Sequence, residues 1–115
     1  MPIYFLTTLG ARSRQPRSQP VLCIPLDGQF ILVGSNWGKS RNPAWVYNLR
    51  ANPRGRLGKG KISRVVIARE LHGDERRIYW KKATSFYPPY DSYEQRSGRT
   101  LPVFLLESAA GNGSR

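Results

Sequence analysis

Apolar residues fall in short runs along most of this chain, and the breaks between runs are glycine, proline and asparagine. Ile3 to Thr8 reads as a first strand, rich in aromatic and β-branched residues. Arg17 to Leu26 is a second extended run. Pro20 and Pro25 deny it ladder bonding on both sides, so it is bulged or lies partly at an edge. Asp27-Gly28 signals a hairpin turn. Gln29 to Ser35 follows as a third strand, and its Phe30-Ile31-Leu32-Val33 run asks for burial on both faces. The three strands read as an antiparallel meander.

Beyond Ser35 the period changes. Asn42-Pro43 opens a helix, with Asn42 as N-cap and Pro43 at the first helical position. It runs to about Asn52, where Pro53 stops it, and Trp45, Asn48 and Leu49 share one face by their i, i+3, i+4 spacing. Arg54 to Lys61, RGRLGKGK, reads either as a strand turning at Lys59-Gly60 or as a basic patch of RNA-binding type. Ile62 to Leu71 is a long strand. Gly73-Asp74 caps a second helix with Glu75 in its first turn, where the helix dipole favours an acid. That helix extends to about Phe86, with Tyr79, Ala83 and Phe86 as its buried stripe, and Pro88-Pro89 breaks it. Asp91 or Ser92 starts a short third helix ending at Gly98, and Val103 to Glu107 is a last strand. The expected class is mainly β with α (α+β): a small antiparallel barrel with helices packed outside, formed by residues 1–107 as one domain. Residues 108–115, small and polar, are expected to be a disordered tail.

Composition narrows the partners. A chain of 115 residues buries one modest core. No apolar stretch approaches the roughly 18 residues a spanning helix needs, and the opening MPIYFLTT is too short and lacks the basic start of a secretory signal. Cys23 and His72, each the sole residue of its type, argue against an internal disulfide and against a Cys/His metal site, so no metal is expected and a reducing, cytoplasmic setting fits best. The net charge of +12 attracts an anion, whether nucleic acid, acidic membrane or polyanionic small molecule, without choosing among them. The basic residues are spread along the chain, which suits a folded domain with a positive face better than a basic tail.

Two stretches carry candidate chemistry. TTLGARSRQPR, Thr7 to Arg17, joins the first two strands. Gly10 allows a tight bend, Pro16 fixes the exit, and Arg12, Arg14 and Arg17 crowd into six positions beside Ser13. Guanidinium forks on a constrained loop suit a phosphate, which they grip two oxygens at a time; a solvated basic loop fits the composition equally well. Gly34-Ser35-Asn36-Trp37-Gly38 ends the third strand. Its backbone amides can approach a flat ligand closely, or it is a plain strand-to-helix connection. No Ser/His/Asp or Cys/His set suggests nucleophilic catalysis, and His72 reads as a non-catalytic residue at a helix start.

TTLGARSRQPR, SNWGKSRNPAWVYNLRANP and YPPYDSYEQRSGRTLPVFLLE stand in the order and spacing of the deazaflavin-dependent nitroreductase family, a branch of the split β-barrel flavin-binding proteins, and the chain resembles that family from about Leu6 to Glu107. The middle and last segments carry the specific patterns NPxWxxNLxANP and YPxYxxYxxxxxRxxP. The resemblance implies a split antiparallel barrel of about six strands with two or three flanking helices. It also implies an oxidoreductase using reduced coenzyme F420, whose hydride passes to a quinone, nitroaromatic or similar electron-poor acceptor. Such chemistry belongs to the cofactor and needs no protein nucleophile.

By the same resemblance, Arg12 and Arg17, with Ser13 and Arg14 between them, hold the cofactor's phosphate. Val33, Gly34, Ser35 and Asn36 meet the deazaflavin ring, and Ala44, Trp45 and Asn48 contact it from the helix start. Tyr87, Tyr90 and Tyr93 line the substrate side; no catalytic residue is assigned, though the Tyr90 hydroxyl is placed to donate a proton or hydrogen bond. Lys39 and Arg41 would attract the polyglutamate tail that such a cofactor carries beyond its phosphate. Read from the residues alone, the three tyrosines suit a helix-packing cluster. Ala11 stands where the family pattern has arginine and Arg14 where it has glycine, so one charge has moved along the loop; Asn36 and Trp37 replace a frequent lysine and glycine. Members that reduce membrane quinones carry an amphipathic helix ahead of the first strand, and this sequence starts at that strand, which points away from a membrane quinone and from stable membrane insertion. The alternatives are an FMN-binding barrel, an F420 carrier without turnover, and a basic nucleic-acid-binding barrel, which lacks a recognised RNA-binding signature. A homodimer is compatible with the sequence.

Overall fold

A computed structural model describes residues 2–109. The strands are β1 (Ile3–Leu9), β2 (Pro16–Leu22), β3 (Ile24–Leu26), β4 (Gln29–Val33), β5 (Arg54–Lys59), β6 (Ile62–Glu70) and β7 (Val103–Ser108). The helices are α1 (Ala44–Ala51), α2 (Gly73–Phe86) and α3 (Pro89–Ser97). All strand pairs are antiparallel, and the sheet order is β2-β1-β5-β6-β7-β4-β3.

The two edges of that sheet, β2 and β3, are consecutive in the chain and separated only by Cys23. They are the two halves of the extended run over Arg17 to Leu26. Its first half pairs with β1 (Leu6 opposite Gln19, Tyr4 opposite Val21) and its second with β4 (Ile24 opposite Ile31). The sheet therefore curls until its edges are joined by one covalent step, which leaves about six strands' worth of wall. Pro20 and Pro25 are accommodated because each half is bonded on one side only. At the joint the Cys23 amide donates to the Pro2 carbonyl at 3.0 Å.

Alternation along β4 divides the core. Phe30 and Leu32 point inside the curl, with Leu6, Val46, Leu57, Val66 and Leu106; Trp45 meets Phe104 edge-on at 5.7 Å there. Ile31 and Val33 point outward and are covered by α2 and α3 through Ala83 and Tyr90. This is why four successive apolar residues are all buried. The RGRLGKGK stretch supplies β5 and its turn into β6, with Leu57 packed inside, so the strand reading holds there.

Several boundaries differ from the sequence reading. Asn42 does not cap α1: the helix starts at Ala44 with Pro43 at the cap position and no capping side chain, because the Asn42 amide oxygen is taken by Arg99. Phe86 is 46% exposed, since α2 ends there and only its earlier turns lie on the sheet. His72 occupies the N-cap position of α2 without a side-chain hydrogen bond. Helix α3 starts at Pro89, two residues early, because proline is well suited to a first helical turn. Ser108, expected in a disordered tail, closes β7 opposite Val66; residues 110–115 lie outside the described residues.

Candidate functional site

Past the Ile24–Ile31 pair, β2 and β4 part. Leu32 and Val33 remain paired to β7 alone, while β2 stays with β1. The gap is a half-open groove of about 190 Å³. Gln19 and Val21 line one side, Leu32 and Val33 the other, with Trp45 behind them and Tyr87, Tyr90 and Tyr93 across the opening. Because both bordering strands are unpaired on this side, backbone N–H and C=O groups face the gap, and a ligand with in-plane polar edges can use them.

The loop after β4 forms the lip. Ser35, Asn36 and Trp37 line the groove, and Trp37 is 71% exposed. Asn36, Trp37 and Gly38 all have left-handed backbone, with φ of 47°, 60° and 82°. For Trp37 this costs about 1–2 kcal/mol, and for Asn36, whose side chain tolerates such backbone, less, so the loop must be held by its surroundings. Arg99 holds it: its guanidinium donates to the carbonyls of Gly34, Ser35, Lys39 and Arg41 at 3.0–3.2 Å and to the Asn42 side chain.

The tyrosines are both a packing cluster and a groove wall. Tyr87 and Tyr90 meet edge-on at 4.9 Å, and the Tyr87 and Tyr93 hydroxyls are 3.1 Å apart. The Tyr87–Tyr93 hydrogen bond, followed by desolvation, raises the Tyr87 pKa above the ordinary phenol value. Burial raises that of Tyr90 further, helped by Tyr87. The Tyr90 hydroxyl has no hydrogen-bond partner among the described residues, and Tyr90, though almost wholly buried, lines the groove. It is a neutral hydrogen-bond donor at physiological pH and a poor proton source.

The arginine-bearing stretch forms a closed turn: the Gly10 amide donates to Gln15 O at 2.8 Å and the Arg14 amide to Gly10 O at 3.0 Å. A Cβ on Gly10 would come within 2.4 Å of Ser13 Oγ, so that hydroxyl would have to turn away from the loop. Arg14 adopts φ of 61°, so the position where the family pattern has glycine does need left-handed backbone, and Arg14 bears the strain. Arg12 and Arg14 make no side-chain hydrogen bond or ion pair among the described residues, and Arg17 reaches Ser13 Oγ at 3.4 Å. By contrast Arg50, Arg69, Arg76 and Arg77 are each paired with a carboxylate. The turn thus offers uncommitted cations. Arg17, Gln19 and Val21 lie on one face of β2, each step about 7 Å along the strand, so the row that lines the groove leads to the arginine turn.

Asn48 joins turn to helix. Its amide oxygen accepts from the Ala11 N–H at 2.9 Å and its amide nitrogen donates to Thr8 Oγ1 at 3.0 Å, with Asn48 and Thr8 both buried. Asn48, expected to contact the ligand, is buried and does not line the groove, and its link to the site runs through the turn. Ala44 is exposed and does not line the groove. Gly34 lies behind the groove, where a Cβ would meet Val46 at 2.8 Å, so it serves close packing.

Residues 1–108 match the F420H(2)-dependent quinone reductase family. The chain belongs to that family. By membership it is an oxidoreductase that uses coenzyme F420. An F420H(2)-dependent quinone reductase of Mycobacterium tuberculosis is 29% identical over 108 residues, covering 91% of this chain and 72% of the relative. A solved F420-H2 dependent reductase superposes with a TM-score of 0.82 at 37% identity, over 92% of this chain and 94% of its own. A structure described as a domain-swapped dimer gives the same TM-score, 0.82, at 37% identity over 92% of this chain and 80% of its own. The heme storage protein HutZ of Vibrio cholerae, at 10% identity and a TM-score of 0.67, shares the fold alone.

The donor set fits an F420-type ligand: an apolar, aromatic-walled slot with open strand edges for a flat heterocycle, and an uncommitted arginine turn for an anionic end. Of the residues the sequence singled out, Val33, Ser35, Asn36, Trp45 and the three tyrosines line the slot, while Arg12, Ser13, Arg14 and Arg17 form the turn. Gln19 and Val21 were missed, although strand alternation from Arg17 would have found them. Arg99 was quoted in the last motif without a role. No helix among the described residues is long and apolar enough to cross a membrane, and no cluster of potential metal ligands occurs among them.

Proposed function

We propose that the groove binds coenzyme F420 with its ring between the open edges of β2 and β4 and its phosphate at Arg12, Arg14 and Arg17, and that the acceptor is a quinone or nitroaromatic admitted beside the tyrosines. The observation that carries this reading is the single β2 face that runs from the groove, through Gln19, to the uncommitted arginines. Bound in its reduced form, the cofactor supplies a hydride. The chain's own residues do the rest. The arginine turn neutralises the anionic end, Trp45 and Val33 exclude water from one side of the slot, and Ser35 and Asn36 bring the lip's backbone to its edge. The neutral hydroxyl of groove-lining Tyr90 donates a hydrogen bond to an acceptor oxygen as negative charge develops there. Solvent delivers the proton, because burial makes Tyr90 reluctant to ionise.

Residues 1–108, which include the strand position of Ser108, act in this reading as one cofactor-binding unit. The described part offers Phe5 and Ile67 as exposed apolar residues on the uncovered outer sheet face, and likeness to a structure described as a domain-swapped dimer supports a homodimer. A reducing, cytoplasmic compartment suits the free, buried Cys23. The test is a titration with F420 and with FMN, followed by quenching of tryptophan fluorescence, then a screen of quinone and nitroaromatic acceptors with reduced F420. F420 should bind more tightly and support turnover. Tighter binding of FMN, or salt-sensitive uptake of an oligonucleotide without uptake of either cofactor, overturns the assignment.

A further inference from the structure

Residues 34 to 42 wrap around one cation. The carbonyl oxygens of Gly34, Ser35, Lys39 and Arg41 converge on the Arg99 guanidinium, and the Asn42 side chain accepts a fifth hydrogen bond. The partners lie 57 to 65 residues away in the chain. Four carbonyl dipoles aimed at one point repel each other unless a donor-rich cation sits between them. The loop has few ties of its own: the Asn36 amide reaches Arg41 O at 3.0 Å, and Gly38 and Lys39 close the short turn over residues 36–38. Its left-handed residues oppose the shape it keeps.

Arg99 arrives from the tyrosine side of the groove. Gly98 ends α3 in left-handed backbone, with φ of 71°, which turns the chain back beneath the loop. One turn earlier Arg96 lies over the Tyr93 ring at 5.3 Å, against the same loop at Gly38. The loop that presents Ser35, Asn36 and Trp37 and the helix that presents Tyr90 and Tyr93 are thereby fastened to each other.

We propose that Arg99 is the positioning residue that fixes the lip of the groove to α3 and so sets the distance between the ring side and the tyrosine side of the site. It does not line the groove. All three of its nitrogens bond inside the chain, with Nη2 shared among three carbonyls, and a lysine cannot replace them: three donors on one nitrogen cannot span acceptors arranged around a planar fork. The proposal rests on the F420 reading for its consequence in binding, but the ordering of the loop is a property of the protein without ligand.

The experiment uses the whole chain as Arg99→Lys and Arg99→Ala. Hydrogen exchange of the ligand-free protein should accelerate at least tenfold for amides within residues 34–42 while those of β6 keep their wild-type rates, and Trp37 emission should shift as the lip loosens. F420 affinity should fall at least tenfold in both variants. Guanidinium ion at millimolar concentration should restore affinity and slow exchange in Arg99→Ala, and tetramethylammonium, which donates no hydrogen bond, should not. If Arg99→Ala does not fold, Arg99→Lys alone decides by the exchange pattern. Unchanged exchange in residues 34–42, or acceleration spread evenly over β6 and the loop, overturns the proposal. If wild-type protein fails to take up F420, the functional reading falls, and the exchange data still decide whether Arg99 fixes the loop.

Discussion

The tie between Asn48 and the arginine turn gives a perturbation whose size follows from the structure. Asn48→Leu keeps the shape of the side chain, so little cavity forms, but it removes the acceptor for the Ala11 N–H and the donor to Thr8 Oγ1. The Thr8 hydroxyl is buried and loses its only partner among the described residues; the Ala11 amide is half-buried and recovers part of its loss from water. At about 1–3 kcal/mol for a group left unsatisfied and about 0.5–1.5 for one that water reaches, the variant should be about 2–4 kcal/mol less stable. For a domain of this size each kcal/mol moves Tm by about 4 °C, so Tm should drop by roughly 8–16 °C in calorimetry. The turn itself is then released. Reordering even one backbone residue on binding costs about 1–2 kcal/mol, so F420 affinity should weaken by roughly 5- to 30-fold in a fluorescence titration below the variant's Tm. A large fall in Tm with an unchanged Kd would show that the turn keeps its shape without Asn48, or that the anion binds elsewhere. An unchanged Tm would show that the two hydrogen bonds are not holding anything.

Three further outcomes are expected. Arg17→Ala should weaken F420 binding by about 1.5–3 kcal/mol, the range for a charge-assisted hydrogen bond; an unchanged Kd by titration removes Arg17 from the site. Arg14→Gly relieves left-handed backbone at φ of 61° and should raise stability by about 0.5–1 kcal/mol while lowering F420 affinity, a pair of opposite shifts that denaturant melts and titration can each contradict. Cys23→Ser should retain turnover, since the buried thiol lies behind the groove with its pKa pushed by desolvation from 9.0 up to about 12. As its folded pKa lies above the unfolded value, the thiol's contribution is intact below pH 9 and is lost as pH climbs toward 12; the wild type should therefore lose stability more steeply than Cys23→Ser across that window, and parallel curves would refute the assignment.

What the sequence determined by itself was local. Period and breakers placed most strands within a residue or two, while Arg54 to Lys61 stayed open between a strand and a basic patch and the division of Arg17 to Leu26 at Cys23 was not seen; the arginines of the first turn stand together because they are neighbours in the chain. Even the left-handed backbone at Arg14 was legible, as an arginine in a position whose family pattern calls for glycine. Three of the residues whose roles were missed share one cause. Asn42, Asn48 and Arg99 have partners 37 to 65 residues away, and an amide or guanidinium can serve a cap, a ligand or a distant carbonyl with the same atoms. Local pattern reports which face a residue occupies and is silent on what that face meets. Only the tertiary structure decided that β2 and β3 are two edges of one sheet, that β2 parts from β4 to open a groove while β3 stays paired to it, and that the lip of that groove closes around a cation just past the end of α3, because each depends on how far the sheet curls, and that curl is set by all seven strands at once.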